Sequence, residues 1–404
     1  MFRTNCLICG SEKLSKIIDL GIHPFSDTFI SESALSESEK TYPLIVDLCE
    51  ECGQIQTKCI TSPEERYSET DYSYTSSNSS FSRNYWDNYA LEVIKKTNLP
   101  KGSLIVEIGS NDGYLSEIFL KMGYKVIGVD PSDYMNDLAN KRGVETISSL
   151  FGEKAAREIE SRKGKASMII ANNVFNHSDN PKEFSRAVSN LLSSEGHFIS
   201  EQPYWGVEIE NKSFDQIYHE HVSYFTITSL STLLEKSGLR IKSAEIVDYH
   251  GGSLRTISQK SSFTQKIPEE VKLLIEKEKE QRLFDSEMYC EFMRIILSSK
   301  YKLLKEIYDI KARGIPIIAL GAAAKGNTFL NFNGLDSSVI DYVTDASPHK
   351  KGKYTPLSRI LIEDDSIVKK YKEFYALILA WNISDKIKLN VISANPKVKF
   401  IERN

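Results

Sequence analysis

The stretch SLIVEIGSNDGYLSEIFLKMG, residues 103–123, decides the fold of the central part of this chain. It opens with an apolar run, Leu104–Ile108, of the length and composition of a buried strand. A turn with two glycines follows, and the remainder repeats apolar residues at the spacing of an amphipathic helix. Strand, glycine-bearing turn and helix in this order are typical of a parallel sheet covered by helices.

Two later stretches extend the same pattern. YKVIGVDPS (124–132) predicts a second strand that ends in Asp130, and ASMIIANNVFNH (166–177) predicts a strand that leads into a polar loop. We therefore predict an α/β fold for residues 67–260, with ligands bound at the carboxyl ends of the parallel strands.

The glycine turn discriminates between cofactors. A dinucleotide fingerprint G-x-G-x-x-G starting at Gly109 requires glycine at positions 111 and 114, where the chain has Asn111 and Tyr114, so NAD is disfavoured. The string Glu107-x-Gly109-x-x-x-Gly113 resembles instead the first motif of class I S-adenosylmethionine-dependent methyltransferases, with Asn111 in place of the middle glycine.

This resemblance implies a site for S-adenosylmethionine. Gly109 and Gly113 would let the backbone approach the cofactor, and Asp130, about twenty residues beyond the turn, would accept the ribose hydroxyls. A doubly wound fold that binds another nucleotide stays open, and Leu150 and Phe151 either cover the adenine or pack into the core. The predicted cofactor-binding residues are Glu107, Gly109, Asn111, Gly113, Asp130 and Asn172.

Four of the six cysteines form two pairs near the N-terminus, CLIC (Cys6, Cys9) and CEEC (Cys49, Cys52). The two-residue spacing lets both sulfurs of a pair face one ion, and a glycine follows each second cysteine, where a zinc knuckle turns tightly. Four thiolates fill a tetrahedral zinc site, so its role is structural. The alternative is two unrelated pairs, one of them redox-active. The remaining cysteines, Cys59 and Cys290, are expected to be packing residues.

The stretch DQIYHEHVSYF (215–225) crowds groups that can move protons. In a strand, His219 and His221 would share one face, which is an arrangement for metal ligands, but the H-E-x-x-H spacing of a helical zinc site is missing. In a helix, Tyr218 and His221 would share a face and His219 would point away. We favour proton transfer over a catalytic metal.

The C-terminal part predicts a second, smaller Rossmann-like unit. Residues 269–307 read as one or two long charged helices with an apolar stripe. After them, GIPIIALGAAAKGNTFLNF (314–332) predicts a strand, a small-residue turn and a helix, and VIDYVTDASPHKKGKYTP (339–356) and YALILAWN (375–382) predict two further strands. Backbone amides at such a turn bind phosphate, and Lys325 adds positive charge.

Taken together, the chain resembles the nucleotide-sugar C-methyltransferases that act on 4-keto-deoxy sugars, which supply branched sugars to antibiotics and surface polysaccharides. The resemblance covers essentially the full length. It implies a zinc-binding domain over 1–66, a methyltransferase core over 67–260 and a Rossmann-like, nucleotide-sugar-binding domain over 261–404. The motifs that carry it are the two cysteine pairs, DYSYTSS (71–77), EIGSNDG (107–113), ANNVFNH (171–177), YHEHVSYF (218–225), HGGSLR (250–255) and GAAAKGNTFLNF (321–332).

The resemblance also implies site residues. Methyl transfer to carbon needs a base that removes the proton next to a ketone, and His221 is predicted to be that base. Glu220 would orient a group or accept a sugar hydroxyl, Tyr218 would donate near the keto oxygen, and His219 would be a bystander. Further catalytic candidates are His177 and Tyr72, the latter rather than Tyr74. Candidate substrate-binding residues are Lys325, Asn327, Lys350 and Lys353.

The expected target is C-3 of the sugar; C-5 methylation and a hexose lacking one further hydroxyl are the alternatives. The formal net charge of −4 disfavours nucleic acid as a partner, against a rival reading as a zinc-dependent RNA-binding protein. No apolar run approaches the roughly 18 residues of a membrane span, and the N-terminus lacks the apolar core of a signal peptide. We expect a cytoplasmic monomer that binds no membrane.

Overall fold

The structure, a computed structural model, describes residues 1–67, 75–77, 79–262 and 266–403. The strands, numbered along the chain, are β1 (Leu14–His23), β2 (Tyr42–Cys49), β3 (Ile55–Thr57), β4 (Leu104–Ile108), β5 (Lys125–Asp130), β6 (Glu145–Ser148), β7 (Ala166–Asn172), β8 (Leu192–Pro203), β9 (Ser223–Tyr224), β10 (Leu239–Val247), β11 (Ser253–Lys260), β12 (Ile317–Leu320), β13 (Tyr342–Thr344), β14 (Ile362–Glu363), β15 (Tyr375–Ile378) and β16 (Lys399–Ile401). The α-helices are α1 (Pro63–Tyr67), α2 (Ser80–Thr97), α3 (Tyr114–Lys121), α4 (Asp133–Lys141), α5 (Glu153–Lys163), α6 (Pro181–Leu191), α7 (Trp205–Glu210), α8 (Ile227–Lys236), α9 (Glu269–Glu280), α10 (Ser286–Ala312), α11 (Ala324–Asn333) and α12 (Ser384–Ala394).

The central sheet has the order β10-β11-β8-β7-β4-β5-β6. Strands β8, β7, β4, β5 and β6 are parallel, and β11 lies antiparallel between β8 and β10. Every residue of β4 is buried, because helices cover both faces of the sheet. The chain leaves β4 towards β5 on one side and returns to β7 on the other, so a topological switch point lies between β4 and β7. The predicted α/β fold is confirmed.

The C-terminal sheet has the order β14-β13-β12-β15-β16 and is parallel throughout. Its switch point lies between β12 and β15. The charged stretch before it forms the helices α9 and α10, and α10 buries an apolar stripe at three- and four-residue steps. The residues of that stripe are Tyr289, Phe292, Ile296, Leu303, Ile307 and Ile310.

The N-terminal sheet, in the order β1-β2-β3-β9, takes its last strand from the central part of the chain. Ile55 in β3 pairs antiparallel with Tyr224 in β9, directly after the YHEH stretch. Buried residues of β1 and β2, among them Ile18 and Val46, share one apolar core with α10 and the C-terminal sheet. The N-terminal sheet is therefore packed against both other parts of the chain.

Within the described ranges, no helix combines the length and the apolar character needed to cross a bilayer.

A buried ion pair joins α2 to the central sheet. Arg255 Nε donates to Glu201 Oε2 at 2.7 Å, and its Nη2 donates to the hydroxyl of Tyr85 at 2.8 Å. Arg255 and Glu201 are both buried. A charge left without its partner in such a place costs more than the pair contributes.

We expect Arg255→Met to lower the free energy of unfolding by about 3–5 kcal/mol, because the Glu201 carboxylate loses its cation. The half-exposed Lys96–Glu245 pair provides the control, and Lys96→Met should cost at most about 1 kcal/mol. Chemical denaturation measures both. Equal effects of the two substitutions would contradict this prediction.

Candidate active site

A cavity of about 430 Å³ lies at the switch point of the central sheet. Residues from the carboxyl ends of β4, β5 and β7 line it, as the fold predicts. Leu150, which is half exposed, and Phe151 also line it, although Phe151 packs on Phe184 with 5.1 Å between ring centroids. The predicted residues on its wall are Glu107, Gly109, Asn111, Asp130, Asn172 and His177.

The glycine turn after β4 explains why asparagine replaces a motif glycine. Gly109 has φ +69°, and its amide donates to the carbonyl of Val129 at 2.7 Å. Asn111 also has a left-handed backbone, with φ +50°, and asparagine is among the few residues that adopt it readily. Its amide donates to Asp130 Oδ2 at 2.9 Å. Asn111 thus keeps the backbone conformation that the glycine would provide.

Gly113 has a packing role, and its predicted approach to the cofactor stays a prediction. Its φ is +74°, and a Cβ there would lie 2.7 Å from the Cβ of Ala139 in α4. Gly113 is absent from the residues that line the cavity. A side chain at this position would push α3 away from α4, which is the physical reason for glycine.

Two buried acids face the cavity. Burial raises the pKa of Glu107 to about 8, although the hydroxyl of Ser116 donates to its carboxylate. Burial also raises the pKa of Asp130, against the effect of the amides of Ser132 and Asn111 that donate to it. Acids held partly neutral by burial gain charge when a cation binds beside them.

The amide of Asn172 is also suited to a ligand. Its Oδ1 accepts from the hydroxyl of Tyr89 at 3.1 Å. Its Nδ2 is buried and donates no hydrogen bond within the described part of the chain. Because an unsatisfied buried donor is costly, a ligand acceptor at this place would be favourable.

The end of the DYSYTSS motif reaches the same cavity. The amide of Ser76 donates to Asn111 Oδ1 at 2.8 Å, and its hydroxyl donates to Asp112 Oδ1 at 2.5 Å. Ser76 lines the cavity. Tyr72, the catalytic candidate of this motif, lies outside the described residues, and its role stays a prediction.

His221 is held in the tautomer that a base requires. Its Nδ1 lies 3.0 Å from the carbonyl oxygen of Gln216. A carbonyl only accepts, so Nδ1 carries the proton and Nε2 keeps a lone pair. The ring of His177, on the cavity wall, lies 5.0 Å from that of His221. Burial lowers the pKa of His221 to about 3 and that of His177 well below its usual value, so both rings are neutral at pH 7.

The YHEH stretch forms a turn, not the helix that we considered. The amide of His221 donates to the carbonyl of Tyr218 at 3.0 Å, and the two rings lie 3.9 Å apart. His219 packs near the rings of Phe25 and Tyr42, with its Nε2 3.3 Å from the carbonyl of Tyr42. The structure therefore brings His177, Tyr218 and His221 together and directs His219 to the N-terminal sheet.

Glu220 is held by the loop after β1. Its Oε1 accepts from the amides of Ser26 at 3.0 Å and Asp27 at 3.3 Å, in the loop after β1. Burial raises its pKa to about 7. Its Oε2 is buried and accepts no hydrogen bond from the described residues, so one oxygen is available to a ligand.

All three parts of the chain hold the turn that carries these residues. Thr57 Oγ1, in the N-terminal sheet, donates to the carbonyl of His221 at 2.6 Å. The amide of Val222 donates to the carbonyl of Asn176 in the central part at 2.9 Å. Thr328 Oγ1, on α11, donates to the carbonyl of Ile217 at 3.2 Å.

His250 is a site residue that the sequence did not single out. It lines the cavity, and burial lowers its pKa to about 3. It has φ +53°, and its carbonyl accepts from Gln216 Nε2 at 2.9 Å. The motif HGGSLR contained a signal for this residue, because its histidine directly precedes two glycines in the turn before β11.

The four candidate substrate-binding residues, three lysines and one asparagine, have different surroundings. Lys325 is buried with its Nζ 4.3 Å from the ring centroid of Trp381, and burial lowers its pKa to about 7. Asn327 Nδ2 donates to the carbonyl of Ser26 at 2.6 Å. Lys350 and Lys353 lie instead near Asp27, where their charges oppose the rise in its pKa that burial causes.

The switch point of the C-terminal sheet repeats the geometry of the central one. The amide of Gly321, with φ +89°, donates to the carbonyl of Thr344 at 2.8 Å. Asp345, at the end of β13, accepts from the amides of Ala322 and Ser347, both at 2.9 Å. In the central sheet, the amide of Gly109 likewise donates to the carbonyl of Val129, and Asp130 accepts from the amides of Asn111 and Ser132. Asp345, which the sequence did not single out, therefore corresponds to Asp130.

The N-terminal cysteines form a metal centre. The Sγ atoms of Cys6, Cys9, Cys49 and Cys52 all lie within 4.8 Å of one another, and no other such group of ligands occurs in the described part of the chain. The two pairs have the same turn: the amides of Gly10 and Gly53 donate to the carbonyls of Cys6 and Cys49. Four thiolates suit tetrahedral zinc and leave no position for a substrate.

The two single cysteines differ. Cys59 is buried, as expected, whereas Cys290 lies exposed on α10, so the prediction that Cys290 is a packing residue is wrong.

We expect about one zinc ion per chain by elemental analysis, lost in a Cys6→Ser, Cys49→Ser double variant. That variant should also melt at a lower temperature and be less active. The sheet that the zinc stabilises contains β3 and Thr57, which hold His221 in place. Cys290→Ser is the control and should keep both zinc and activity. A double variant with full zinc content would contradict the assignment.

Three family models match successive parts of the chain. Residues 6–67 match a family model for a zinc binding domain, residues 83–244 one for a methyltransferase domain, and residues 248–400 one for a C-methyltransferase C-terminal domain. The two predicted cofactors, a methyl donor in the central domain and zinc in the N-terminal domain, are confirmed at the level of the family.

One curated relative spans nearly the whole chain. C-methyltransferase NovU of Streptomyces niveus is 30% identical over 382 residues, which is 95% of this chain and 90% of NovU.

Two solved structures that resemble this chain each cover less than half of it. Magnesium protoporphyrin IX methyltransferase (ChlM) from Synechocystis PCC 6803 with bound SAM is 15% identical, with a TM-score of 0.34, over 44% of this chain and 79% of ChlM. The CcbJ methyltransferase from Streptomyces caelestis is 13% identical, with a TM-score of 0.35, over 43% of this chain and 89% of CcbJ. These scores are too low to support an assignment. The relation to NovU and the three models in their order along the chain show that the protein belongs to the C-methyltransferase family.

Proposed function

We propose that this enzyme transfers a methyl group from S-adenosylmethionine to C-3 of a nucleotide-linked 4-keto-deoxy sugar. One observation carries the proposal: His221, with its Nε2 free to accept a proton, lies beside the cavity of the methyl donor. A C–H carbon becomes a nucleophile only after it loses a proton, and a neighbouring ketone makes that loss feasible by enolisation.

The base step follows from the tautomer of His221. Nε2 takes the proton next to the ketone, and the electron pair of the broken C–H bond moves into the enolate. A pKa of about 3 makes the free ring a weak base, but the enolate charge beside the ring favours its protonated form. Bound S-adenosylmethionine supplies a methyl group on a positively charged sulfur. The enolate carbon forms the new C–C bond as the C–S bond breaks, and the proton leaves His221 for water.

Glu220 and Tyr218 are proposed to orient the sugar. Oε2 of Glu220 is buried without a donor among the described residues, which suits a sugar hydroxyl. Tyr218, whose ring lies 3.9 Å from that of His221, is proposed to donate a hydrogen bond near the keto oxygen. His177, on the cavity wall, would complete the set and bring the proton-transfer groups next to the donor.

The nucleotide is proposed to bind the C-terminal sheet. Asp345 and the Gly321 turn repeat the arrangement of Asp130 and the Gly109 turn, which in the central sheet suits a ribose. Lys350 lies 3.8 Å from Asp345 and adds positive charge for phosphate. Lys353, which lies near Asp27 with Lys350, and Lys325 and Asn327 on the helix after the Gly321 turn are proposed to contribute to the same binding.

Residues of all three domains complete one site within a single chain, which supports a monomer as the working unit. We also propose the cytoplasm as its location, because thiols stay reduced there, as the zinc site requires.

A panel of thymidine-, guanosine- and cytidine-diphosphate keto-sugars tests the function. The protein is incubated with each sugar and with S-adenosylmethionine labelled with ¹³C in the methyl group. We expect NMR to locate the label on C-3 of one sugar. A label on C-5 would correct the position, and a label on oxygen, or on no sugar of the panel, would overturn the proposal.

We expect His221→Asn to lower kcat by about 10²–10⁴-fold. The asparagine amide keeps a donor towards the carbonyl of Gln216 but removes the proton acceptor Nε2. Binding of S-adenosylmethionine, measured by calorimetry, should not change. The matched control His219→Asn should keep its activity, and equal losses in the two variants would refute the assignment of the base.

Binding of the methyl donor should tighten as pH rises towards about 8. The pKa of Glu107 is raised to about 8, so at lower pH the free protein must release a proton before its carboxylate favours a cation. Calorimetry in buffers of different ionisation enthalpy from about pH 6 to about pH 9 measures that release. Glu107→Gln should make the affinity for the methyl donor independent of pH. An affinity of the native protein that does not change with pH would contradict this prediction.

A further inference from the structure

A carboxylate before the YHEH turn connects the C-terminal domain to the chemistry. Asp215 is fully buried, in the short turn of residues 214–216. Its Oδ2 accepts from Trp381 Nε1 at 2.9 Å and from Arg403 Nη2 at 2.7 Å. Both donors belong to the C-terminal domain. This one oxygen therefore binds two residues that follow Asp215 by 166 and 188 positions along the chain.

The next residue, Gln216, is in contact with two histidines of the site. Its backbone carbonyl accepts from Nδ1 of His221 at 3.0 Å, and its side-chain Nε2 donates to the carbonyl of His250 at 2.9 Å. The first contact sets the tautomer of His221. The second holds His250, whose left-handed backbone, with φ +53°, needs support from its surroundings.

Trp381 also contacts the turn that contains His250. A Cβ on Gly251, next to His250, would lie 2.3 Å from Cη2 of Trp381, so indole and backbone are in close contact. Lys325 Nζ lies over the same indole, 4.3 Å from its ring centroid. Trp381 therefore touches the turn of His250 while its N–H is held by the residue before Gln216.

We propose that Asp215 is a positioning residue through which the C-terminal domain aligns His221 and His250 for proton abstraction. The hydrogen bonds from Trp381 and Arg403 to Asp215 hold the neighbouring residue, Gln216, in place. Gln216 in turn holds both histidines through its own hydrogen bonds. This inference rests on the proposed base chemistry. It adds that the C-terminal domain controls the rate of that chemistry besides binding the substrate.

The test separates alignment from stability by measuring proton abstraction alone. In D₂O without a methyl donor, the enzyme should exchange the α-proton of its keto-sugar for deuterium. Asp215→Asn keeps the size of the side chain but removes the negative charge that is paired with Arg403, and leaves only a neutral amide oxygen to accept from Trp381 and Arg403. We expect deuterium exchange and kcat to fall together by about 10- to 100-fold, since small displacements of a catalytic group have effects of this size. The KM of the sugar and the affinity for S-adenosylmethionine should change less than about threefold.

Asp341→Asn is the matched control. Asp341, like Asp215, accepts from one neutral N–H and one cation, the amide of Ile317 at 2.8 Å and Lys311 Nζ at 2.9 Å, but both partners lie within the C-terminal domain. This variant should exchange the proton at the native rate. If Asp215→Asn does not fold, Arg403→Gln removes the cation from the other side and should reduce exchange in the same direction. Native exchange rates in every folded variant would overturn the proposal.

A measurement without substrate distinguishes this claim from the proposed function. ¹⁵N NMR reports the ring environments of His221 and His250, and Asp215→Asn or Arg403→Gln should shift both while Asp341→Asn leaves them unchanged. If the native enzyme exchanges no keto-sugar proton, the proposed function fails, and the ring shifts alone decide the positioning role. Unshifted rings in the folded variants would refute it.

Discussion

The buried turn at residues 217–222 needs hydrogen-bond partners for its backbone, and the rest of the architecture provides them. A turn has too few internal hydrogen bonds to be buried alone, so its amides and carbonyls must be paired elsewhere. The carbonyl of His221 is paired with Thr57 in the N-terminal domain. The amide of Val222 is paired with Asn176 in the core, and the carbonyl of Ile217 with Thr328 in the C-terminal domain. The YHEH stretch is thus a junction of three domains.

This constraint links the zinc site to the YHEH turn, which it supports through the N-terminal sheet. The four thiolates fix two knuckles at the ends of β1–β3, and β3 pairs with the strand that directly follows the YHEH turn. An isolated sheet of a few short strands is marginally stable, and a structural metal compensates for its small core. The same sheet shares an apolar core with α10, so the metal supports the position of the C-terminal domain as well.

Much of the fold was predictable, because its signals are local. The apolar strands, the Gly109 turn and the two cysteine knuckles each lie within about ten residues, and the structure contains all of them. The YHEH turn was not predictable in the same way, since its shape depends on partners in three domains. The contact between Glu220 and Ser26 spans 194 residues, and nothing near either residue indicates it. His250 and Asp345 were missed for a related reason: each gains its role only when distant strand ends meet.

The central claim is that methyl donor and base face the same sugar carbon from two sides. A crystal structure with S-adenosylhomocysteine and the nucleotide keto-sugar tests it most directly. We predict the nucleotide beside Asp345 and the sugar ring next to His221. The target carbon should lie within about 3.5 Å of Nε2 and in line with the cofactor sulfur. A sugar bound away from His221, or a target carbon that faces a different base, would contradict the account.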